Sequence, residues 1–495
     1  MAYIVDIPGN SGYTRDDFVN ALGDKQDKLV SGMNIRTVGG RSVLGGGNLD
    51  FTQGGGGGGE QQEYPQEALL TDIEKQYRAN TLARIDELNP IVNGNRKYMM
   101  FGFISDLHSL PTNPEINAIN DADMQEDVQN ILDAGIVFPN WDGDGNVTDA
   151  AAIVSYIKES WPTSDGYYGA NAEPSVRLLG AIAHAADFDA VFCGGDLSSG
   201  RLPYNCYSYQ LYQTKKMFDK YVTVPHYFTD GNHERKYNNN VIRRTNTEWL
   251  KWLNLMNSGG ATYISGNDDR YGDKGNVYYV DFPRHKVRAV GSSSYENTDS
   301  FSAGYANQPC PYNLFDALSF ENPQDAENWT ALAFSHYNGE SSMHYILRYY
   351  FSGGRIGQET GAYSGSSSGY MAGFMNPDKS TTNSKYQSQY DSTSKNAQYG
   401  RGFPGKAAIG WFSGHVHDSA NGFYVTVPGE GDERNLLNSA VVAHARANGG
   451  YTFSIFIIDD DEYKVRCLRY GPTLKKYPEG FDPTATEYVL DYRHH

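Results

Sequence analysis

The chain predicts an α/β protein with an N-terminal extension and long loop insertions, and two observations predict it. Short apolar runs at 98–104 (YMMFGFI), 190–193 (AVFC), 222–228 (VTVPHYF), 332–334 and 409–412 each end in a cluster of Asp, Asn or His. Helical patterns precede and separate them, at residues 65–88 and 175–186. Strands buried on both faces read as unbroken apolar runs rather than alternations, and such strands deliver functional side chains from their C-terminal tips.

Taken in order, residues 1–60 lack the pattern of an enzyme core. Thr14 is placed to cap a short helix through Phe18, Val19 and Leu22. Residues 25–51 (KQDKLVSGMNIRTVGGRSVLGGGNLDF) are short β-prone pieces punctuated by Gly and Asn, with Gly39-Gly40 at a turn position. The stretch resembles a segment that recurs in tail-fibre and appendage proteins of bacteriophages. That resemblance implies a virion-attachment or oligomerisation segment, with virion structural proteins and a homotrimer as expected partners and the virion as the location; the other reading is an ordinary N-terminal extension. Gly54 to Gly59 are consecutive glycines, which cannot pack a core and so mark a flexible joint.

Residues 61–96 read as a helical linker. Leu69, Leu70, Ile73, Tyr77, Leu82, Ile85 and Leu88 recur at helical spacings until Pro90 stops the run, and without a clean heptad this helix is expected to dock on the domain that follows. The catalytic region spans 97–475, with insertions at about 109–175 and 338–408 and a tail at 476–495. In the first insertion, residues 140–148 (NWDGDGNVT) partly match a calcium loop, but Ala151 stands where the bidentate carboxylate belongs, so a turn and a helix capped at Thr148 are expected. In the second, residues 352–402 are rich in Gly, Ser, Tyr, Asn and Gln; a lid, a substrate-contacting surface, a virion contact and a solvated loop all fit. After the last motif, residues 436–445, 451–459 and 462–469 have strand character, the last two as a hairpin near Asp459-Asp460-Asp461.

Composition narrows the function classes. A formal charge of −18 disfavours a broad nucleic-acid surface, which is ordinarily basic. Four cysteines (Cys193, Cys206, Cys310, Cys467) are too scattered for a disulfide framework. The N-terminus MAYIVDIPGN has no basic start or long apolar core, so no signal peptide is expected, and no run reaches the ~18 apolar residues of a membrane span; a cytoplasmic location is the alternative to a virion.

The polar tips form one series: Asp106-Leu107-His108, Gly195-Asp196, Gly231-Asn232-His233-Glu234, His336, and Gly414-His415-Val416-His417. Any one of them is weak, because surface loops hold many such pairs. Jointly they resemble the calcineurin-like metallophosphoesterases, which implies a phosphoric ester hydrolase using two divalent or trivalent metal ions and a four-layer α/β/β/α sandwich, whose second sheet the strands at 277–282, 286–290, 436–445, 451–459 and 462–469 are expected to build. Mixed His, Asn and carboxylate ligands suit manganese, iron or zinc. Two cations roughly 3.5–4 Å apart need a bridging carboxylate, and the resemblance gives that role to Asp196. It implies that Asp106, His108 and His417 complete one metal site and that Asn232, His336 and His415 complete the other. The same resemblance implies that a hydroxide held between the metals would attack phosphorus and that His233 would point at the phosphate as catalytic acid, with Glu234 placed to orient a ligand or His233 from behind. Asp230 stands where the protein-phosphatase branch carries an arginine, so a phosphodiesterase or phosphomonoesterase is expected. The competing classes are an inactive structural or receptor-binding phage protein on the same fold and a cellular nucleotide phosphodiesterase.

Overall fold

A computed structural model describes residues 64–163, 172–198, 202–237, 246–264, 277–292, 328–336, 407–414, 451–470 and 487–491, with short pieces at 37–38, 41–42, 242–243, 317, 424–425 and 437–440. The chain divides into two compact units, Met1–Gly58 and Gly59–His495. In the first, Thr37–Val38 and Arg41–Ser42 pair antiparallel with Val38 opposite Arg41. The helix expected after Thr14 and the joint at Gly54 to Gly59 lie outside the described residues, as do the 352–402 run, Cys310 and the histidines at 494 and 495.

Among the described residues the second unit holds two large sheets, beside short two-stranded pieces. The first contains β1 (Met99–Ile104), β2 (Ala190–Cys193) and β3 (His226–Phe228), parallel to one another. The second contains β4 (Thr262–Tyr263), β5 (Tyr278–Phe282), β6 (Val287–Gly291), β7 (Thr330–Ser335), β8 (Ala407–Ser413), β9 (Tyr424–Val425) and β10 (Leu437–Ala440), in the order β4-β5-β6-β7-β8-β10-β9 with β6, β7, β8 and β10 parallel. β11 (Phe453–Asp459), β12 (Lys464–Tyr470) and β13 (Glu487–Asp491) then return antiparallel to complete the first sheet as β13-β12-β11-β1-β2-β3.

This last point corrects the sequence reading, which put the 451–469 hairpin in the second sheet. Ile455 pairs with Gly102 and Phe456 with Phe101, so the hairpin extends the sheet that begins at β1. A strand buried at every position cannot announce its partner, because no in-and-out alternation fixes its register.

The period of two in β1 explains the layering. Phe101 and Phe103 face the second sheet, where the Phe101 ring meets Phe412 edge-on at 5.3 Å and Phe192 lies 4.5 Å from Phe334. Gly102 faces a helix layer, where Leu179 lies so close that a Cβ on Gly102 would fall 2.7 Å from its Cδ1. The layer comprises α1 (Asp72–Leu88), α2 (Asn113–Ala118), α3 (Asp121–Asp133), α4 (Ala150–Ser160), α5 (Ala172–Ala186) and α6 (Tyr204–Tyr221), with α7 (Asn232–Arg235) and α8 (Asn246–Met256) further on. The mixed α/β architecture is consistent with the expected fold. Between residues 293 and 327 the described residue is Ala317, which is helical.

α1 docks on the domain rather than bridging to it. It starts seven residues later than the periodicity suggests, because Thr71 caps it in a reciprocal box with Glu74. Glu74 is fully buried and pairs with Arg177 of α5 at 2.8 Å, and Thr81 meets the Tyr470 hydroxyl at 2.5 Å. α4 is capped by Asp149, whose Oδ1 accepts from Ala151 and Ala152, one residue beyond the expected Thr148. Before it, Phe138–Pro139 and Asn146–Val147 pair as a hairpin in place of a calcium loop. Strand β3 covers only the end of the apolar run 222–228, because residues 222–225 form the connection from α6, which ends at Tyr221.

Cys193, Cys206 and Cys467 are buried free thiols, and burial pushes Cys206 and Cys467 up to about 12. Among the described residues no helix is long and apolar enough to cross a membrane.

Gly180 sits in the middle of α5, where glycine ordinarily costs about 1 kcal/mol against alanine. A Cβ there would lie 2.0 Å from the Tyr221 carbonyl oxygen, so α5 and α6 are in backbone contact at that point. Gly180→Ala should therefore destabilise the fold by about 1–3 kcal/mol despite its better helix propensity. The midpoint of urea unfolding reads this, and an unchanged or higher midpoint would contradict the close approach.

Candidate metal centre

The parallel strands of both sheets aim their C-terminal ends at one place. β1 leads to Asp106 and His108, β2 to Asp196, β3 to Asn232 and His233, and β7 to His336. The loops are tied by backbone bonds: Asp106 N–H donates to Gly195 O, His108 N–H to Asp196 O and Ser109 N–H to Leu197 O, each at 2.9 Å. Gly414 N–H donates to His336 O at 2.9 Å, which holds the loop after β8 against β7.

The backbone is strained where it carries the candidate ligands. Asp106, His108 and Asp196 adopt φ of 56°, 43° and 51°, left-handed conformations that cost non-glycine residues on the order of 1–3 kcal/mol each. Gly195 precedes Asp196 at φ 84°, and a Cβ on it would fall 2.6 Å from Gly231 N.

Asp196 is the centre of the arrangement. It is 1% exposed, and its Oδ1 accepts the His233 N–H at 2.8 Å. Its Oδ2 is buried with no hydrogen-bond partner. Around that oxygen stand His336 Nε2 at 3.1 Å, close but without hydrogen-bond alignment, and His108 Nε2 and His233 Nε2 at 3.8 Å each. Burial alone would push the Asp196 carboxyl up, yet the imidazoles of His336, His233 and His108 outweigh it and hold the group well below the usual range. Burial pulls His336 down, and Asp196 with Asp106 carries it up to about 10.

The imidazoles are oriented from behind. His336 Nδ1 lies 2.9 Å from Gly194 O and its Nε2 3.0 Å from Asn232 Oδ1. His108 Nδ1 lies 3.2 Å from Ser198 O. A backbone carbonyl on one ring nitrogen fixes the tautomer and presents the other to a cation. Ser105, which the sequence reading passed over, donates its hydroxyl to Asp106 Oδ2 at 2.6 Å.

Glu234 stands behind the candidate ligands and holds the backbone of the loops that carry them. It is 1% exposed; Oε2 accepts from Asp196 N and Gly231 N at 2.7 Å, and Oε1 from Leu197 N at 2.9 Å and Ser198 N at 3.2 Å. Burial and then the Asp196 charge push it up to about 8, while the amide donors pull the other way. One carboxylate thus joins the loops after β2 and β3.

Among the described residues two groups of side chains could each hold a metal ion: His108, Asp196 and His233, and Asp106, Asp196 and His336. Asp196 belongs to both, as a bridging carboxylate would. The donors fit the hard or borderline cations the sequence suggested, and the unpartnered Oδ2 is an anionic site that only a cation or proton relieves. The grouping differs from the one implied by resemblance, since Asp106 falls with His336 and His233 with His108. His415 and His417 lie outside the described residues, as do Arg201 and the side chain of Arg235. His184, on α5, contacts Thr223 at 2.9 Å and takes no part.

The sequence model of the calcineurin-like phosphoesterase family matches residues 99–350. The chain belongs to that family. This calcineurin-like phosphoesterase is a metal-dependent phosphoric ester hydrolase. Among solved structures, a dimetal phosphatase from Danio rerio aligns over 80% of this chain and 99% of its own, at 12% identity and a TM-score of 0.38, a likeness that carries no part of the argument. A search of curated proteins found no match.

Proposed function

We propose that the enzyme is a bimetallic phosphodiesterase or phosphomonoesterase, with Asp106, His108, Asp196, Asn232, His336, His415 and His417 as metal ligands and His233 as proton donor to the leaving oxygen. The observation that carries this reading is the buried, unpartnered Asp196 Oδ2 ringed by three imidazole nitrogens. When bound, the metals supply Lewis acidity to the phosphoryl oxygens and lower the pKa of attacking water. The chain's own contribution is positional. Asp196 holds the His233 amide, and the His233 ring is 24% exposed, so it can reach an ester oxygen that the buried imidazoles cannot. Asp230 is fully buried and acidic where a phosphate-clamping arginine would be needed for protein-phosphatase chemistry, which favours small or polymeric phosphate esters.

Residues 1–60 are, in the same proposal, an attachment and oligomerisation module that carries the hydrolase on a phage tail or other virion appendage. The division of the chain at Gly58 and Gly59 supports their separability, and the resemblance of residues 25–51 supports the location. The test joins both parts. Full-length protein and a variant lacking residues 1–60 are loaded with manganese, iron or zinc, analysed for metal, and assayed on 4-nitrophenyl phosphate and bis(4-nitrophenyl) phosphate. Equal metal content and turnover are expected, with oligomer formation, read by light scattering, lost on truncation. No turnover of either ester by metal-loaded full-length protein would return the inactive receptor-binding reading. Unchanged assembly after truncation would return the cellular phosphodiesterase.

A further inference from the structure

Helix α6 buries several polar side chains, and two of them reach the metal centre. Tyr207 and Gln210 are 1% and 0% exposed, and three residues apart they rise from the same side of the helix. Each reaches a backbone carbonyl in a loop of the metal centre. The Tyr207 phenol donates to His233 O at 2.5 Å, and the Gln210 side-chain amide donates to Ser109 O, next to His108. These are the loops whose imidazoles, His108 and His233, stand edge to face with centroids 4.6 Å apart.

The other side of each peptide is held too. His233 N–H is taken by Asp196 Oδ1 at 2.8 Å and Ser109 N–H by Leu197 O at 2.9 Å. Each loop residue is therefore fixed on its amide side by the Asp196 loop and on its carbonyl side by α6. A helix burying itself in a core gains nothing from a phenol and an amide at such positions, where apolar residues of similar volume would avoid the desolvation cost. His233 also lies on α7, whose four residues are too few to hold an orientation unaided.

We infer that Tyr207 and Gln210 are positioning residues for hydrolysis: together they fix the place of His233 relative to His108, and so the distance between the proton donor and the metal-binding edge. The inference rests on the reading of His233 as proton donor. Displacement of such a group by a fraction of an ångström lowers proton transfer without altering metal affinity or ester binding.

The experiment uses metal-loaded full-length enzyme and the variants Tyr207→Phe and Gln210→Met, each alone and combined with His233→Ala, on phenyl phosphate and 4-nitrophenyl phosphate. Phenolate is the poorer leaving group and depends more on a donated proton. The expected result is unchanged metal content and KM, with kcat on phenyl phosphate down about tenfold and a smaller loss on 4-nitrophenyl phosphate. In the His233→Ala background the further loss should vanish. Equal losses on both esters, the same loss with or without His233, or no loss would overturn the inference while leaving the proton-donor reading intact. That reading fails separately if His233→Ala alone leaves phenyl phosphate turnover unchanged. Should Tyr207→Phe fold poorly, Gln210→Met carries the same comparison.

Discussion

Asp196→Asn is expected to lower hydrolysis by roughly 10³-fold or more and to release at least one metal ion, because an amide supplies one neutral oxygen where a carboxylate joins two cations. The substitution is nearly isosteric, and its retained carbonyl oxygen can still accept the His233 N–H that Oδ1 accepts at 2.8 Å. The loop after β2 should stay in place, held by the Glu234 bonds to Asp196, Leu197 and Ser198. Metal analysis and turnover on one preparation read the result against a circular-dichroism control for folding. Two tightly held metals and full turnover in the variant would remove Asp196 from the bridging role.

His233→Ala is expected to keep both metals and to cut turnover by roughly 10²-fold or more, the usual scale for a positioned acid–base group. The alternative is concrete. His233 Nε2 stands as near to Asp196 Oδ2 as His108 Nε2 does, 3.8 Å in each case, and the three residues form one of the two candidate ligand groups. Exposure distinguishes them, since the His233 side chain is 24% accessible and that of His108 only 4%. A proton donor must meet substrate, whereas a ligand need not. Metal loss in the alanine variant would assign His233 to coordination and leave the leaving oxygen to another group.

Much of the site was legible in the sequence because its parts are local. Each candidate ligand follows an apolar run by two to five residues, so strand and tip were read together at Asp106, Asp196, Asn232 and His336. What escaped depends on which distant backbone a side chain reaches. Glu234 was placed behind the site, but its four amide partners come from two loops brought together only by the parallel pairing of β2 and β3. Tyr207 and Gln210 look like ordinary members of a helix, and nothing in the string YNCYSYQLYQ marks the carbonyls they meet. The misplaced hairpin has the same origin, since strand β11 is buried at every position and carries no in-and-out code to name its neighbour.

The glycines around the centre limit how such an enzyme can diversify. A Cβ on Gly231 would fall 2.1 Å from Asp196 Oδ1, and one on Gly414 would fall 1.8 Å from the Ser105 hydroxyl and 2.3 Å from Asp106 Oδ2. The backbone between the candidate ligands is thus pressed against their side-chain atoms, which leaves no volume there for a new side chain. Any gain or change of selectivity has to be written at other positions, while these keep one chemistry. Laboratory selection for a new phosphate ester would accordingly find substitutions at Gly195, Gly231 and Gly414 sterile.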